Sequence, residues 1–223
     1  MLLLRPIQAT GRFAGRCARR AAFTLVELLA VIAIIGILMA FLLPKIPEMM
    51  DATKVTACEK NLQEIYKGVE LYRMKYDRLP SESGVRFFST LISRDVLENT
   101  KSSAQKLSCP GVDIGALDIG AIDDPTEWYS DPEMVNGNYS AYAGRNTDEY
   151  KLRRLSGKEP LVADDNDGDG NHRTTTNVLY GDGAVHPFEL ALEREKGNVG
   201  SEETYITVGP DAEIEDLRKF SLD

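Results

Sequence analysis

An unbroken apolar run near the N-terminus limits what this chain can fold into more than any other feature. Residues 28–43 are all apolar or glycine, and Phe23, Leu25 and Val26 extend the run. As a helix, residues 23–43 span about 30 Å, which matches the hydrocarbon core of a bilayer. One carboxylate, Glu27, lies near the start, although an ionisable group in hydrocarbon costs up to about 2.5 to 3.5 kcal/mol. The sequence therefore predicts a membrane-spanning helix in which Glu27 has a function that offsets this cost.

The residues before the apolar run indicate how it would be oriented. Residues 1–22 hold five arginines and no acidic residue. Arginines that precede a span stay on the cytoplasmic side, so we expect everything after residue 45 to lie outside the cytoplasm. A cleavable secretory signal usually has a shorter apolar region and then a small-residue cleavage site, whereas PKIPEMM follows here. A lipoprotein signal needs its cysteine after the run, and Cys17 precedes it.

The charge of the remaining chain argues against one class of partner. The formal net charge is −9, and the leader contains five of the 26 basic residues but none of the 35 acidic ones. The chain after the leader is therefore more acidic than the total suggests. Binding to duplex nucleic acid rests largely on neutralising phosphates with lysine and arginine. We therefore do not expect a nucleic-acid partner.

The segment AAFTLVELLAVIAIIGILMAFLLP resembles the processing segment of type IV pilins and type II secretion pseudopilins. In that family a basic leader is removed on the cytoplasmic side, just before an aromatic residue, and the new N-terminus is methylated. The resemblance implies cleavage between Ala22 and Phe23, which makes Glu27 the fifth residue of the processed chain. It also implies assembly roles for Glu27 and for Pro44, at the end of the apolar run. Ala22 departs from the usual glycine before the cut, so we expect slower cleavage.

The resemblance gives Glu27 a partner, the N-terminal amine of a neighbouring subunit in a helical filament. A second interpretation needs no neighbour: Glu27 would lie at the level of the lipid headgroups, because four residues of helix span only about 6 Å. The filament interpretation is favoured because the leader charge, the cleavage site, the position of Glu27 and Pro44 all agree with it.

The residues after Pro44 and Pro47 have the pattern of an amphipathic helix. Apolar residues recur at spacings of three and four, which places them on one helical face. They are Val55, Cys58, Leu62, Ile65, Val69, Tyr72 and Tyr76. The chain is then divided into a basic leader (1–22), a transmembrane and filament-core helix (23–43), an amphipathic continuation of that helix (44–78) and a globular head (79–223).

The head is predicted to be a small antiparallel β-sheet packed on the amphipathic helix, which makes the fold α+β and pilin-like. ISRDVLENTKSSAQ, residues 92–105, is predicted to be a short helix. NVLYGDGAVHPFEL, residues 177–190, is typical of two strands joined by a tight Gly-Asp-Gly turn. The strand order does not follow from these patterns.

His172 is separated by nine residues from Asp182 and Gly183, a spacing that resembles the C-terminal signature of a bacterial subgroup of pilin-like proteins. KLSCPG, NYSAYAGRN and PLVADD resemble the middle region of the same subgroup. In the subgroup a histidine commonly follows Asp-Gly directly, but here Ala184 does and His186 comes two residues later. We favour a role for His172 as a polar loop residue bonded to the hairpin. The alternative is a metal site formed by the two histidines and Asp182, for which a third strong ligand is not evident.

The loop DDNDGDGN is a candidate calcium site. Asp165, Asp167 and Asp169 alternate, as in the first half of an EF-hand loop. The similarity then ends, because the twelfth position is Thr176 where a bidentate glutamate is expected. Backbone carbonyls or Asp182 would have to complete the site, and several pseudopilin heads hold calcium in a C-terminal loop. A metal-free surface turn is an equal alternative, because aspartate and glycine favour turns by themselves.

Cys58 and Cys109 are the two cysteines outside the leader. The cell envelope permits a disulfide between them, which would join the helix to the head. Cys58 also fits the apolar face of the helix as a buried thiol, and this interpretation ranks slightly higher.

No catalytic motif stands out, so we do not expect an enzyme and no cofactor is required, with calcium as an optional ligand. The predicted function is a pseudopilin or minor pilin in a type II secretion or type IV pilus-type filament. Its partners would be a prepilin peptidase and methyltransferase, other pilin-like subunits, the inner-membrane assembly platform and the bilayer. It would begin as a single-pass inner-membrane protein with its head outside the cytoplasm. The alternative is a membrane-anchored binding module with an acidic, calcium-binding head.

Overall fold

A computed structural model describes residues 24–165 and 171–223 of the chain. Its N-terminal helical segment runs from Leu25 to Tyr76. This segment comprises α1 (Leu25–Leu42), a 3₁₀ turn (Leu43–Lys45) and α2 (Ile46–Tyr76). The 3₁₀ turn contains Pro44, which has no backbone N–H to donate to the preceding turn. The predicted long N-terminal helix is confirmed, and it is the one described helix long and apolar enough to cross a membrane.

The described residues form two compact units, one that ends at Ile46 and one that begins at Pro47. In the first unit, none of the residues of α1 is buried. In the second unit, α2 buries the face that the sequence pattern indicated, with Cys58, Leu62, Ile65, Val69 and Tyr72 at its centre. The helix ends where Asp77 adopts a positive φ of 52°, a left-handed conformation that terminates helices.

The head contains a five-stranded antiparallel sheet with the order β4-β3-β2-β1-β5. Its strands are β1 (Tyr142–Arg145), β2 (Pro160–Asp164), β3 (Thr175–Tyr180), β4 (Val185–Glu189) and β5 (Phe220–Ser221). The predicted α+β class and small antiparallel sheet are therefore confirmed. The predicted pair of strands around the Gly-Asp-Gly turn corresponds to β3 and β4, which pair from Thr175 with Glu189 to Leu179 with Val185.

Both faces of the central strands are covered, since every residue of β1 and β2 is buried. On one side the core contains residues of α2 together with Tyr142, Leu161 and Leu179. On the other side, Ala163, Val178 and Phe220 pack with residues of the C-terminal segment. That segment begins with α5 (Leu190–Glu195) and forms a second layer that the sequence pattern did not reveal.

The head also contains α3 (Val85–Ser93) and α4 (Lys101–Lys106). The prediction of one helix over residues 92–105 was wrong for half of its length, residues 94–100. The chain leaves α3 at Arg94, and Asp95 has a positive φ of 53°. A new helix starts only after Thr100, whose side chain accepts a hydrogen bond from the Ser103 N–H. The polar turn between the two helices was mistaken for helix interior.

Candidate functional site

Glu27 lies in the first turn of α1 and closes a capping box with Thr24. Its Oε2 accepts hydrogen bonds from the Thr24 backbone N–H at 2.8 Å and from the Thr24 hydroxyl at 2.9 Å. In return, the Glu27 N–H donates to Thr24 Oγ1 at 3.2 Å. A capping box satisfies N–H groups that have no partner within the helix. A carboxylate here also interacts favourably with the positive end of the helix dipole.

The rest of α1 presents apolar side chains around its whole circumference. Leu25 is 78% exposed and Phe41 72% exposed, and the residues between them are exposed as well. A helix that is apolar on every side is a membrane span or the core of a large assembly. The exposed surface of α1 therefore requires a cover of lipid or of other apolar helices.

The predicted processing site, Ala22 and Phe23, lies outside the described residues. Pro44, the second residue with a predicted role in assembly, lies in the 3₁₀ turn between α1 and α2. Its contribution to assembly stays a prediction.

Asp182 and Gly183 form the turn between β3 and β4. The Asp182 carboxylate accepts a hydrogen bond from the Ala184 N–H at 3.0 Å. Gly183 has a φ of 84°, and a Cβ at this position would lie 2.7 Å from Cε1 of Tyr66 on α2. A residue with positive φ and no room for a side chain must be glycine. Asp182 and Gly183 thus shape a hairpin that rests against α2.

His172 lies away from that turn, in a buried cluster with Cys58, Cys109 and Asp164. Cys58 comes from α2, Cys109 from the segment after α4, Asp164 from the end of β2 and His172 from the approach to β3. One ligand atom from each of the four side chains lies within 4.8 Å of those of the other three. The cluster therefore joins the amphipathic helix to three separate segments of the head. Both cysteines are free thiols in this structure. The disulfide between them, the lower-ranked alternative, stays a prediction.

Short contacts connect the four side chains. Cys58 Sγ donates to Asp164 Oδ1 at 2.8 Å, and Cys109 Sγ lies 3.3 Å from His172 Nε2. His172 Nε2 lies 3.5 Å from Asp164 Oδ2, and neither of these two side chains is exposed to solvent. Asp164 Oδ2 also accepts a hydrogen bond from the Asn177 N–H at 3.0 Å. The cluster is compact, polar and closed to water.

The electrostatics of the cluster follow from burial and from these contacts. Burial raises the pKa of Asp164 above its ordinary value, although the nearby His172 and the Cys58 thiol oppose the change. Burial alone would lower the pKa of His172, but contacts with Cys109 and with Asp164 outweigh it, so the pKa is raised. Burial likewise raises the pKa of Cys109, but contacts with Cys58 and His172 outweigh it and the pKa is lowered. Burial also raises the pKa of the Cys58 thiol, in agreement with its role as hydrogen-bond donor to Asp164.

The other predicted ligands have different surroundings. Asp165 donates its backbone N–H to the Ala141 carbonyl at 3.1 Å, while Asp167 and Asp169 lie outside the described residues. Calcium binding by this loop stays a prediction.

His186 is exposed on β4, with its ring 5.1 Å from that of Tyr180. The sequence singled out Cys58, Cys109 and His172 separately and missed Asp164, which follows three apolar residues and shows no ligand spacing.

Comparisons with known proteins match part of the chain. Residues 17–43 match the family described as the prokaryotic N-terminal methylation motif. The chain is also 30% identical over 63 residues to type II secretion system core protein G of Pseudomonas aeruginosa. That alignment covers 28% of this chain and 44% of the relative, so the chain spans less than half of that protein's length. No solved structure matches the chain.

These similarities agree with the observed architecture. The matched motif includes the exposed apolar helix and Glu27, and a small antiparallel sheet follows in the head. The chain therefore carries a prepilin-type N-terminal methylation motif on a pilin-like α+β fold and is similar to a type II secretion pseudopilin.

Proposed function

We propose that this chain is a structural subunit, a pseudopilin or minor pilin, of a type II secretion or type IV pilus-type filament. A precursor would enter the inner membrane with its leader in the cytoplasm and its head outside. A prepilin peptidase would cut between Ala22 and Phe23, and Phe23 would be methylated. The inner-membrane assembly platform would then pass the processed subunit into a helical filament in the periplasm or at the surface. This role is structural and involves no enzymatic step.

The observation that carries the proposal is a carboxylate, Glu27, at the start of an exposed apolar helix within a methylation motif. The 18 residues of α1 rise about 27 Å as a helix, which suits the hydrocarbon core of a bilayer. Lipid would cover the helix before assembly. Apolar helices of neighbouring subunits would cover it in the filament, where helix packing replaces contact with lipid.

The capping box explains how Glu27 is held in a single subunit. Thr24 supplies both hydrogen-bond donors to Glu27, and both bind the same oxygen, Oε2. In a filament, the N-terminal amine of a neighbouring subunit would add a cation to this carboxylate. Opposite charges at close range in a medium of low dielectric attract strongly, so a subunit would enter the filament in register with its neighbour. The similarity to a protein named for type II secretion supports that system over a pilus.

Two substitutions separate capping from assembly. Glu27→Leu removes the carboxylate, whereas Thr24→Ala removes the hydroxyl of the capping box and keeps the carboxylate. Each full-length variant would be produced in the native host in place of the wild type. The processed fraction would be measured by mass spectrometry, and the assembled fraction by cross-linking and by recovery of filaments.

We expect Glu27→Leu to be processed but to lose filament assembly, while Thr24→Ala assembles. Loss of a capping hydroxyl costs only about 0.5 to 2 kcal/mol, which a membrane-spanning helix tolerates. If Glu27→Leu assembles to the same extent as the wild type, the proposed role of Glu27 in filament assembly is wrong. The chain is then better explained as a membrane-anchored binding module with an acidic head.

A further inference from the structure

We propose that Cys58, Cys109, Asp164 and His172 bind one structural divalent transition-metal ion of the zinc class. These four side chains converge in the interior of the head. Cys58 and Asp164 are 0% exposed, Cys109 is 2% exposed and His172 is 3% exposed. The ion would complete the head by joining α2 to the sheet.

The distances suit a tetrahedral ion. Zinc binds sulfur at about 2.3 Å and nitrogen or oxygen at about 2.0 to 2.2 Å, so its ligand atoms lie about 3.3 to 3.8 Å from one another. The Cys109–His172 distance is 3.3 Å and the His172–Asp164 distance is 3.5 Å. The Cys58–Asp164 contact, at 2.8 Å, is shorter and would have to open by about 0.5 to 1 Å when the ion binds.

The orientation of the His172 ring supports a ligand role. Nε2 is directed towards the cluster, while Nδ1 lies 3.8 Å from Asp51 Oδ1 on α2. Nδ1 is buried and makes no hydrogen bond with the described residues. A metal-binding histidine typically directs its other ring nitrogen at a carboxylate, which fixes the tautomer and strengthens the ligand. Asp51 is placed for this role, and it is held there by the N–H of Arg173 at 3.3 Å.

Two hydrogen-bond donors surround the sulfur atoms of the cluster. The Gly111 N–H donates to Cys109 Sγ at 3.3 Å, and the Tyr142 hydroxyl donates to Cys58 Sγ at 3.4 Å. Such donors stabilise the thiolate that binds metals, and binding of the ion would displace the proton that Cys58 donates to Asp164. Gly111 itself has no room for a side chain, because a Cβ would lie 2.2 Å from the Asn171 carbonyl oxygen. The backbone thus approaches the cluster at a point where only glycine fits.

The donor set identifies the class of metal. Two sulfurs and an imidazole suit zinc and related borderline ions, whereas calcium and magnesium require several oxygen ligands. Four protein ligands in a closed pocket are typical of structural sites, since catalytic zinc keeps one position open to water. Its ligands differ from the calcium ligands predicted at Asp165, Asp167 and Asp169.

The proposed ion would crosslink α2 to the head, as a disulfide between Cys58 and Cys109 would. Cys58 on α2 lies 106 positions before Asp164, and Cys109 lies 63 positions before His172. Crosslinks between distant segments stabilise a fold by restricting the unfolded chain. A four-ligand site would hold α2, β2 and the segments before β3 and after α4 together at one point.

The experiment uses the full chain, purified in detergent without chelator from cells grown with added Zn²⁺. Metal content would be measured by inductively coupled plasma mass spectrometry. We expect about one zinc per chain. The matched pair His172→Gln and His186→Gln removes one histidine each, the first buried in the cluster and the second exposed on β4. We expect His186→Gln to retain zinc and His172→Gln to hold at least tenfold less.

A second measurement covers the case in which His172→Gln does not fold. The wild-type chain would be stripped with a chelator and titrated with Co²⁺. Tetrahedral cobalt bound by thiolates gives intense visible bands and a sulfur-to-cobalt charge-transfer band, which surface carboxylates do not produce. We also expect chelation to lower the Tm of the head by about 5 to 15 °C, because a ligand that binds only the folded state stabilises it.

Two results would overturn the proposal. The first is a folded wild-type chain that holds no zinc, gives no thiolate–cobalt bands and has two titratable thiols in the head, which indicates a metal-free thiol cluster. The second is a head lighter by two hydrogen atoms under non-reducing conditions, which indicates a disulfide between Cys58 and Cys109.

Discussion

Replacement of Gly183 by alanine tests the hairpin that rests on α2. Two costs add at this position. Alanine at a φ of 84° loses about 1 to 2 kcal/mol relative to glycine. Its Cβ would also lie 2.7 Å from the Tyr66 ring, and overpacking typically costs about 1 to 3 kcal/mol. We expect Gly183→Ala to lower the free energy of unfolding by about 2 to 5 kcal/mol.

Gly197 provides the matched control. It has a φ of 75°, and a Cβ there would meet no atom within 4 Å. Gly197→Ala therefore has only the conformational cost, and we expect it to lower the free energy of unfolding by about 1 to 2 kcal/mol. The difference between the two substitutions measures the contact with Tyr66.

The assay is urea unfolding of the full chain in detergent, followed by tryptophan fluorescence. The chain has one tryptophan, Trp128, which is 6% exposed and donates its indole N–H to the Ile122 carbonyl at 3.0 Å. Tyr66→Ala should remove most of the additional cost of Gly183→Ala in a double-mutant cycle. Equal losses for Gly183→Ala and Gly197→Ala would refute the proposed contact between the hairpin and α2.

Two further predictions concern acid stability and calcium. Burial raises the pKa of Glu193, but hydrogen bonds from Lys196 and Asn198 outweigh it and hold the pKa below its ordinary value. Its stabilisation is therefore present above the unfolded-state pKa of about 4.3 and lost as pH falls through the folded-state pKa. The Tm difference between the wild type and Glu193→Gln should shrink below that pH, and a constant difference would contradict this. If the Asp/Gly loop binds calcium, isothermal titration should give a calcium signal that Asp169→Asn weakens at least tenfold, whereas no heat from the wild type rules out the site.

Sequence patterns predicted the elements whose physical signal is local. The spacing of Cys58, Leu62, Ile65 and Val69 places them on one helical face, and the structure buries that face. The Gly-Asp-Gly turn forms because a positive φ at Gly183 is inexpensive for glycine alone. These features depend on neighbours within a few residues, so one sequence is sufficient to detect them.

Most of the features that were missed depend on distant contacts. Helix α3, with the sequence VRFFSTLIS, is the exception. Seven of its nine residues are buried, but its polar residues recur at helical spacing, a local signal that the sequence prediction overlooked: Arg86, Ser89, Thr90 and Ser93. The C-terminal layer has little regular structure, and its apolar residues pack singly against the sheet. The Cys/His/Asp cluster takes one ligand from each of four segments, so no short ligand spacing is present in the sequence.

The most direct test of the central claim is the intact mass and N-terminal sequence of the protein recovered from the membranes of its own host. We predict a chain that begins at methylated Phe23 and lacks residues 1–22. A chain that retains its arginine-rich leader would contradict the account. It would show that Ala22 blocks cleavage and that the apolar helix serves only as an anchor.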